Sequence, residues 1–362
     1  MLLSALAMMV NSSMGSFSST MLGYERFKLY GVLAISTQAI VVILGFIVLY
    51  EGLGLIGLGG AHLVTAIIAT VTVALFVRKR VCRWAIKFNW QSALKVLRAA
   101  LPLAVTALLM AIYYRADFIM LTIMQSDKSV GFYNSAYALV NGLLLVSTSF
   151  SASILPRLSS YFSSDQLKLD RLYSIGFKYM MYLGLAIAFG ATFLASPLYK
   201  LIYPDSYLPG ADALEILIWA LALMFINGLQ SAHLIARNFK SRLMLITGGG
   251  AILNILLNLI LIPKYDFVGA SIATVISELM TGIGFFMIIR KHLTFGTITG
   301  WVLRIIPGLA VMGLILYFTS GMNVISRAAI SGLVLVIMLY VTKGINRDDI
   351  GHFIKLLPVS RN

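Results

Sequence analysis

Leu101–Met124 reads LPLAVTALLMAIYYRADFIMLTIM, and Arg115 and Asp117 are its only charges. At 1.5 Å of rise per residue this stretch makes a helix of about 36 Å, enough to cross a hydrocarbon core of roughly 30 Å. It predicts a membrane span. A charge at the centre of a span costs about 2.5–3.5 kcal/mol on insertion scales, so it faces a partner or a cavity. Two positions along a helix is a rotation of about 200°. Arg115 and Asp117 therefore point apart, and each needs its own partner.

The rest of the chain has the same character. Hydrophobic residues make up 60% and charged residues 11%, and the mean hydropathy is +0.93, which excludes an ordinary soluble domain. Apolar runs of about 20 residues recur, unlike the alternating strands of about 10 residues in an outer-membrane barrel. The reading is an all-α polytopic membrane protein of about 11 transmembrane helices. They lie near 1–22, 29–50, 55–77, 101–124, 130–154, 179–202, 211–236, 243–262, 268–289, 302–319 and 324–342.

Lys and Arg collect in every second loop, as they do on the cytoplasmic side of a membrane. These loops carry Arg26 and Lys28, the run Arg78 to Arg98, Arg157 to Lys178, Arg237 to Arg242, Arg290 with Lys291, and Lys343 to Arg361. The intervening loops hold Glu51, Asp127 with Lys128, YPDSYLPGAD at 203–212, PKYD at 263–266, and Arg327. A multi-pass protein of the cell (cytoplasmic) membrane with a cytoplasmic C-terminus is expected. Topology explains the net charge of +15, and no nucleic-acid partner is expected. RKRVCRWAIKFNWQSALKVLR, Arg78–Arg98, interleaves cations with Trp84, Ile86, Phe88, Trp90, Leu94 and Leu97. It reads as a linker lying on the inner surface against anionic membrane lipids.

Several chemistries lack their residues. Cys82 is the sole cysteine, so no intramolecular disulfide forms. His62, His233, His292 and His352 show no ligand spacing, so neither a metal nor a cofactor is expected. No GxxxxGK[ST] is present to cradle ATP.

The spans repeat. SSTMLGYERFKL from Ser18 and SAHLIARNFKSR from Ser231 each close a span on a Phe-Lys pair, Phe27-Lys28 or Phe239-Lys240. Each is followed one span later by a Gly-Ala entry, Gly60-Ala61 or Gly269-Ala270. Spans one to three thus look like spans seven to nine, a parallel repeat of the kind found in transporters. On that reading the first copy lacks its initial three helices, and an inactive fragment is one alternative.

Several motifs carry a resemblance to a known family: Leu101-Pro102 opening a span, Arg115 and Asp117 within it, and Val130-Gly131, Tyr133 and Ala136-Tyr137 after the turn. Pro156-Arg157-Leu158 then closes the next span, and LGYERF, NILLNLILIP from Asn254 and VGASIATVISE from Val268 complete the set. In order and spacing they resemble the polysaccharide biosynthesis or oligosaccharide flippase family. These are the Wzx-type members of the multidrug/oligosaccharidyl-lipid/polysaccharide exporter superfamily. The resemblance implies a MATE-like transporter of two six-helix lobes around a central cavity, rocking to move lipid-linked oligosaccharides across the membrane. It divides the chain into 1–78, the second half of the N-lobe; 79–100, a basic cytoplasmic linker; 101–291, the C-lobe; and 292–362, two further helices and a tail. Glycan-assembly proteins are the expected partners.

Arg115 and Glu278 lie about 12 and 15 Å from the outer ends of their spans at helical rise, so they are expected to pair. Arg115 is a candidate for gripping a pyrophosphate, and Asp117 and Glu278 for carrying a coupling H+ or Na+; a purely structural ion pair is the alternative. Asn254 and Asn258, four apart, share a helix face that suits sugar hydroxyls or interhelical bonds, with Asn227, Gln230 and Ser231 as company. Asn141, with Ser147 to Ser151, is read the same way. Tyr133 and Tyr137 are expected in the interfacial belt, Tyr113 and Tyr114 against sugar or the belt, and His233 at the interface. Glu25 and Arg26 are read as a surface pair.

Two rival functions remain. A glycan-assembly enzyme would need a loop presenting carboxylates, for which 159–178 with Asp165 and Asp170 is the best candidate. A multidrug or other lipid exporter would share the architecture.

Overall fold

The computed structural model describes residues 2–23, 27–80, 90–91, 94–95, 97, 115–290 and 295–346. The chain forms two compact units, Met1–Pro102 and Leu103–Asn362. Seven described helices are long and apolar enough to cross a membrane, and Ile35–Tyr50 is a shorter apolar one. Large side chains such as Ile123, Leu145, Leu259 and Phe318 stay exposed, as surfaces facing lipid require.

In the first unit α1 (Leu2–Gly23) and α2 (Phe27–Tyr50) both pack on α3 (Gly54–Arg80). The small and β-branched residues Ala66, Ala69, Val73 and Val77 bury one face of α3, and Thr70 Oγ1 donates to Val10 O at 3.2 Å. The α2–α3 turn is tight because Gly52 takes φ 72°, a conformation that costs glycine nothing. Glu25, Arg26 and Cys82 lie outside the described residues, as does most of the basic linker.

The second unit contains the helical residues 115–124, here α4, then α5 (Asp127–Ser164), α6 (Gln166–Ile202), α7 (Gly210–Ala236), α8 (Lys240–Ile289), α9 (Phe295–Phe318) and α10 (Val324–Val341). The helix α7 is its hub: α5, α6 and α8 pack around it, and it is buried at most positions from Gly210 to Ala236. The α9–α10 hairpin packs on α6. Arg327 is not in a loop as expected; it is buried in the first turn of α10 and donates to Leu316 O at 2.6 Å, satisfying a carbonyl at the end of α9.

The 159–178 loop does not exist as a loop. The helix α5 runs to Ser164, Asp165 alone breaks the chain, and α6 begins at Gln166. At 38 residues α5 is about 57 Å long at helical rise, so both helices extend well past the hydrocarbon. Asp165 accepts the Lys168 N–H at 3.1 Å as N-cap of α6. That backbone bond, with the Lys168 ammonium 3.1 Å away, holds its carboxyl below the ordinary range. Asp170 is 2.8 Å from the Arg237 guanidinium. Both acids of the enzyme reading thus perform structural tasks.

The helix α8 is the pair of spans expected at 243–262 and 268–289, continuous except at Asp266, where φ is 53° and ψ −136°. Past Pro263 the chain reverses into an antiparallel hairpin. A Cβ on Gly284 would meet Ile246, one on Gly250 would meet Thr281, and one on Gly269 would overlap the Leu261 carbonyl. Gln125 Nε2 donates to Ile262 O at 2.8 Å and Ser129 Oγ to Asp266 Oδ2 at 2.6 Å, lacing the hairpin tip to the α4–α5 turn. In the first arm a Cβ on Gly248 or Gly249 would touch nothing within 4 Å.

Candidate functional site

Between α4, α5, α7 and the two arms of α8 lies a cavity of about 620 Å³. Five of the six residues singled out in the sequence line it: Arg115, Asp117, Asn141, Asn254 and Glu278. The sixth, Asn258, lies one helical turn beyond Asn254 and is fully buried. What brings them together is a polar stripe on each arm of α8. Ser271, Thr274, Ser277, Glu278 and Thr281 recur at helical spacing on the second arm, facing Asn254 and Asn258 on the first.

Asp117 is the centre of the tightest cluster. Asn258 Nδ2 donates to its Oδ1 at 2.6 Å and Tyr133 OH to its Oδ2 at 2.7 Å. Thr274 Oγ1 is 3.2 Å from the same Oδ2 and 3.0 Å from Ala270 O. Asn258 also donates to Asn254 Oδ1 at 3.1 Å. Four segments, α4, α5 and both arms of α8, converge on one carboxylate. Tyr133 is therefore not a belt residue: it is completely buried, with Phe118 edge-on at 5.2 Å. A hydroxyl needing a partner and a carboxylate needing donors solve each other's burial.

Glu278 sits midway along the second arm and takes a different partner from the expected one. Asn227 on α7 donates to Glu278 Oε2 at 2.8 Å and to its backbone carbonyl at 2.9 Å. Gly282 makes room for this, since a Cβ there would stand 2.7 Å from Asn227 Oδ1. No Arg115–Glu278 ion pair occurs among the described residues. Arg115 is exposed, its guanidinium 5.6 Å from the Phe118 ring centroid. Depth along a helix sets height but not direction round the axis, and Asn227 stands where the arginine was expected.

The α5 wall is milder. Ser147 Oγ donates to Phe225 O at 3.3 Å, tying α5 to α7, while Asn134 and Asn141 present exposed amides to the cavity. Asn227, Thr274 and Tyr133 are the side chains at the two carboxylates whose partners sequence reasoning missed. The Ser271–Thr281 stripe was the signal for Thr274; Tyr133 had none. Asn227 and Ser231 line the same cavity as Asn254, and Ser231 Oγ donates to Asn227 O at 2.8 Å. His233 is not interfacial: it is fully buried, accepts Arg237 Nε–H at 2.9 Å and lies 4.2 Å from the Tyr173 ring. Tyr113 and Tyr114 lie outside the described residues.

Chemically, the cavity combines one exposed guanidinium, neutral amides and hydroxyls, and two membrane-embedded carboxylates. Among the described residues no three His, Cys, Asp or Glu side chains come together to hold a metal ion. The oxygens of Asp117, Asn254, Thr274 and Ala270 are hard donors of the sort that suit a proton or a small monovalent cation.

The family model described as lipid II flippase MurJ matches residues 2–340. That is a different family from the Wzx-type flippases which the motifs resembled, within the same superfamily. An uncharacterized membrane protein of Methanocaldococcus jannaschii, MJ1375, is 27% identical over 203 residues, 55% of this chain and 48% of that one. The chain thus spans about half the length of that curated relative. Among solved structures, a lipid II flippase MurJ in an inward closed conformation superposes with a TM-score of 0.75 at 16% identity, over 96% of this chain and 74% of the other. That likeness establishes the fold. A transporter of the MOP superfamily from Pyrococcus furiosus reaches a TM-score of only 0.46 at 16% identity, over 72% of this chain and 66% of that one.

Proposed function

Because the chain belongs to the lipid II flippase MurJ family, we propose that it moves a lipid-linked glycan precursor across the cell membrane by alternating access. The observation that carries this reading is the cavity itself, a space of about 620 Å³ that Arg115, Asp117, Glu278 and several amides and hydroxyls line, flanked by α5, α7 and α8, which are long and apolar enough to cross a membrane. Such a space inside a membrane bundle serves a polar solute or an ion. Arg115 meets the phosphate groups of the cargo, because it is the one cation lining the cavity among the described residues and its guanidinium forks onto phosphate oxygens. Asn134, Asn141 and Asn254 meet sugar hydroxyls. The lipid tail stays in the bilayer.

Asp117 is the coupling group. Its carboxylate joins α4, α5 and both arms of α8, so binding a proton or Na+ there changes the bonds holding four segments together. A local change of charge thereby biases a larger rearrangement. Glu278, with one amide partner, is the second candidate. The Lys and Arg bias supports a cytoplasmic position for the Arg237 end of the bundle.

Proteoliposomes of the full chain test the reading. Fluorescent lipid II and a lipid-linked oligosaccharide are presented in separate preparations, with and without H+ and Na+ gradients. Gradient-dependent loss of inner-leaflet label for either cargo is expected, and the better cargo identifies the substrate. Arg115→Ala should raise the cargo concentration needed by about tenfold, the loss of a charge-assisted bond. No transport of either lipid by a monodisperse preparation overturns the proposal.

A further inference from the structure

The two carboxylates of the cavity are not equivalent. Asp117 has both oxygens engaged, Oδ1 by Asn258 and Oδ2 by Tyr133. Glu278 accepts the Asn227 amide through Oε2 alone, and among the described residues its Oε1 takes no bond. Since Glu278 lines the cavity, one charged acceptor is left for whatever enters.

The surrounding wall points to the same kind of ligand. Ser147, Thr148, Ser231, Thr247 and Ser277 line the cavity, and a hydroxyl has one proton to give. Each gives it to a backbone carbonyl. Ser231 donates to Asn227 O at 2.8 Å, Thr247 to Leu243 O at 2.8 Å and Ser277 to Ala273 O at 2.7 Å. Ser147 and Thr148 donate to Phe225 O and Leu145 O. What these five side chains have left to offer is lone pairs. Ser277 is the neighbour of Glu278 in sequence, and Ser231 lies one turn along α7 from the Asn227 that holds it. Neutral acceptors from α5, α7 and both arms of α8 thus share a cavity with one charged acceptor, which suits a cation rich in donors.

The cavity's own cation is held away. Arg115 lines the same space, yet its guanidinium lies over the Phe118 ring, 5.6 Å from the centroid, while two bonds from Asn227 anchor Glu278 to α7. Opposite charges among spanning helices ordinarily pair with one another; these two do not, and each is open to a ligand group of the other sign. A space of about 620 Å³ is that of a small-molecule pocket. An ammonium, with one positive charge and three N–H donors, matches a carboxylate oxygen flanked by hydroxyl lone pairs.

We propose that Glu278 receives a primary ammonium group carried by the cargo, so that the cavity selects lipid-linked precursors bearing an amine as well as phosphate. The inference rests on reading this cavity as the cargo site.

Two synthetic lipids test it, a polyprenyl-pyrophosphate disaccharide bearing one primary amine on its glycan part and the same lipid with that amine acetylated. Offered to the purified full chain in nanodiscs, the amine form should bind about tenfold more tightly, the effect of a charge-assisted bond. Glu278→Gln, which keeps an oxygen for Asn227, should bring the two affinities within about twofold of each other. Thr192→Val, on α6 and outside the cavity, should keep the preference. Equal affinities in the wild type, or a preference that survives Glu278→Gln, overturn the proposal. A second measurement needs no variant. Dicyclohexylcarbodiimide activates the Glu278 carboxylate, the amine nitrogen attacks its carbonyl carbon and loses a proton, and an amide forms as a urea leaves with the carboxyl oxygen. Mass spectrometry should locate that amide on Glu278 with the amine lipid; an amide on Asp117 instead, or on neither, refutes the assignment. Preferential binding without flipping in the proteoliposomes would sink the transport reading alone, and flipping of both lipids at equal concentrations would sink this inference alone.

Discussion

Replacing Tyr133 by Phe deletes one hydroxyl and almost no volume, so it isolates the bond to Asp117. The ring keeps its edge contact with Phe118 at 5.2 Å, and no cavity opens. An interhelical hydrogen bond in a bilayer averages about 0.6 kcal/mol, whereas a bond to a charged group contributes about 1.5–3 kcal/mol. Here the 2.7 Å bond from Tyr133 joins that from Asn258 on the Asp117 carboxylate, and the Thr274 hydroxyl, whose one proton can go to Ala270 O or to Asp117, stands 3.2 Å from the same oxygen as Tyr133. The loss is therefore shared, and the lower part of the range applies, about 1.5–2 kcal/mol. Reversible unfolding of the full chain in mixed lipid–detergent micelles measures it, in the wild-type background and again with Asp117→Asn. The cost should shrink to about 0.6 kcal/mol once the acceptor carries no charge. Equal costs in the two backgrounds would refute the view that Tyr133 serves a carboxylate.

Asp117→Asn should also leave cargo binding in place and abolish any dependence of transport on an H+ or Na+ gradient, read from proteoliposomes with and without the gradient; a retained dependence moves the coupling group elsewhere. Gly269→Ala forces a Cβ into the Leu261 carbonyl and should destabilise by about 1–3 kcal/mol, while Gly249→Ala, which meets nothing, should stabilise by about 0.5–1 kcal/mol. Melting curves of the two variants in one detergent decide it. Asp165 has a carboxyl held below its ordinary value of 3.8, so its contribution is complete above that pH and is lost as the pH falls through the depressed value. Wild type and Asp165→Asn should therefore differ in acid slope only below about pH 4, and identical melting profiles there would count against the cap.

The positions of the described spans were legible because they depend on hydropathy, a property of single residues summed along the chain, whereas the run of α5 and α6 through 155–178 was not, because that stretch is polar. The hairpin of α8 was legible too: PKYD interrupts two apolar runs, and the structure reverses there, at Asp266. The cavity's residues were visible for a related reason, since a charge or amide in a span stands out against hydrocarbon. Their pairing was not. Arg115 and Glu278 line one space without meeting, because depth can be counted in residues but rotation about the helix axis is set by packing. Asn227 reached Glu278 through the gap left by Gly282. Tyr133 looked like any interfacial tyrosine until the carboxylate it serves was seen behind it.

The two ends of the α8 hairpin are mechanically unequal. At the Asp266 end, Gln125 and Ser129 stitch its tip to the α4–α5 turn, and the Asp117 cluster clamps both arms a few turns below. Towards the Arg237 end the first arm passes through Gly248 and Gly249, where an added Cβ would meet nothing within 4 Å and where glycine lowers the helix's resistance to bending. The two glycines are thus the place where the arm can be stiffened without a clash, whereas the Asp266 end cannot be altered without breaking the bonds that tie it to its neighbours.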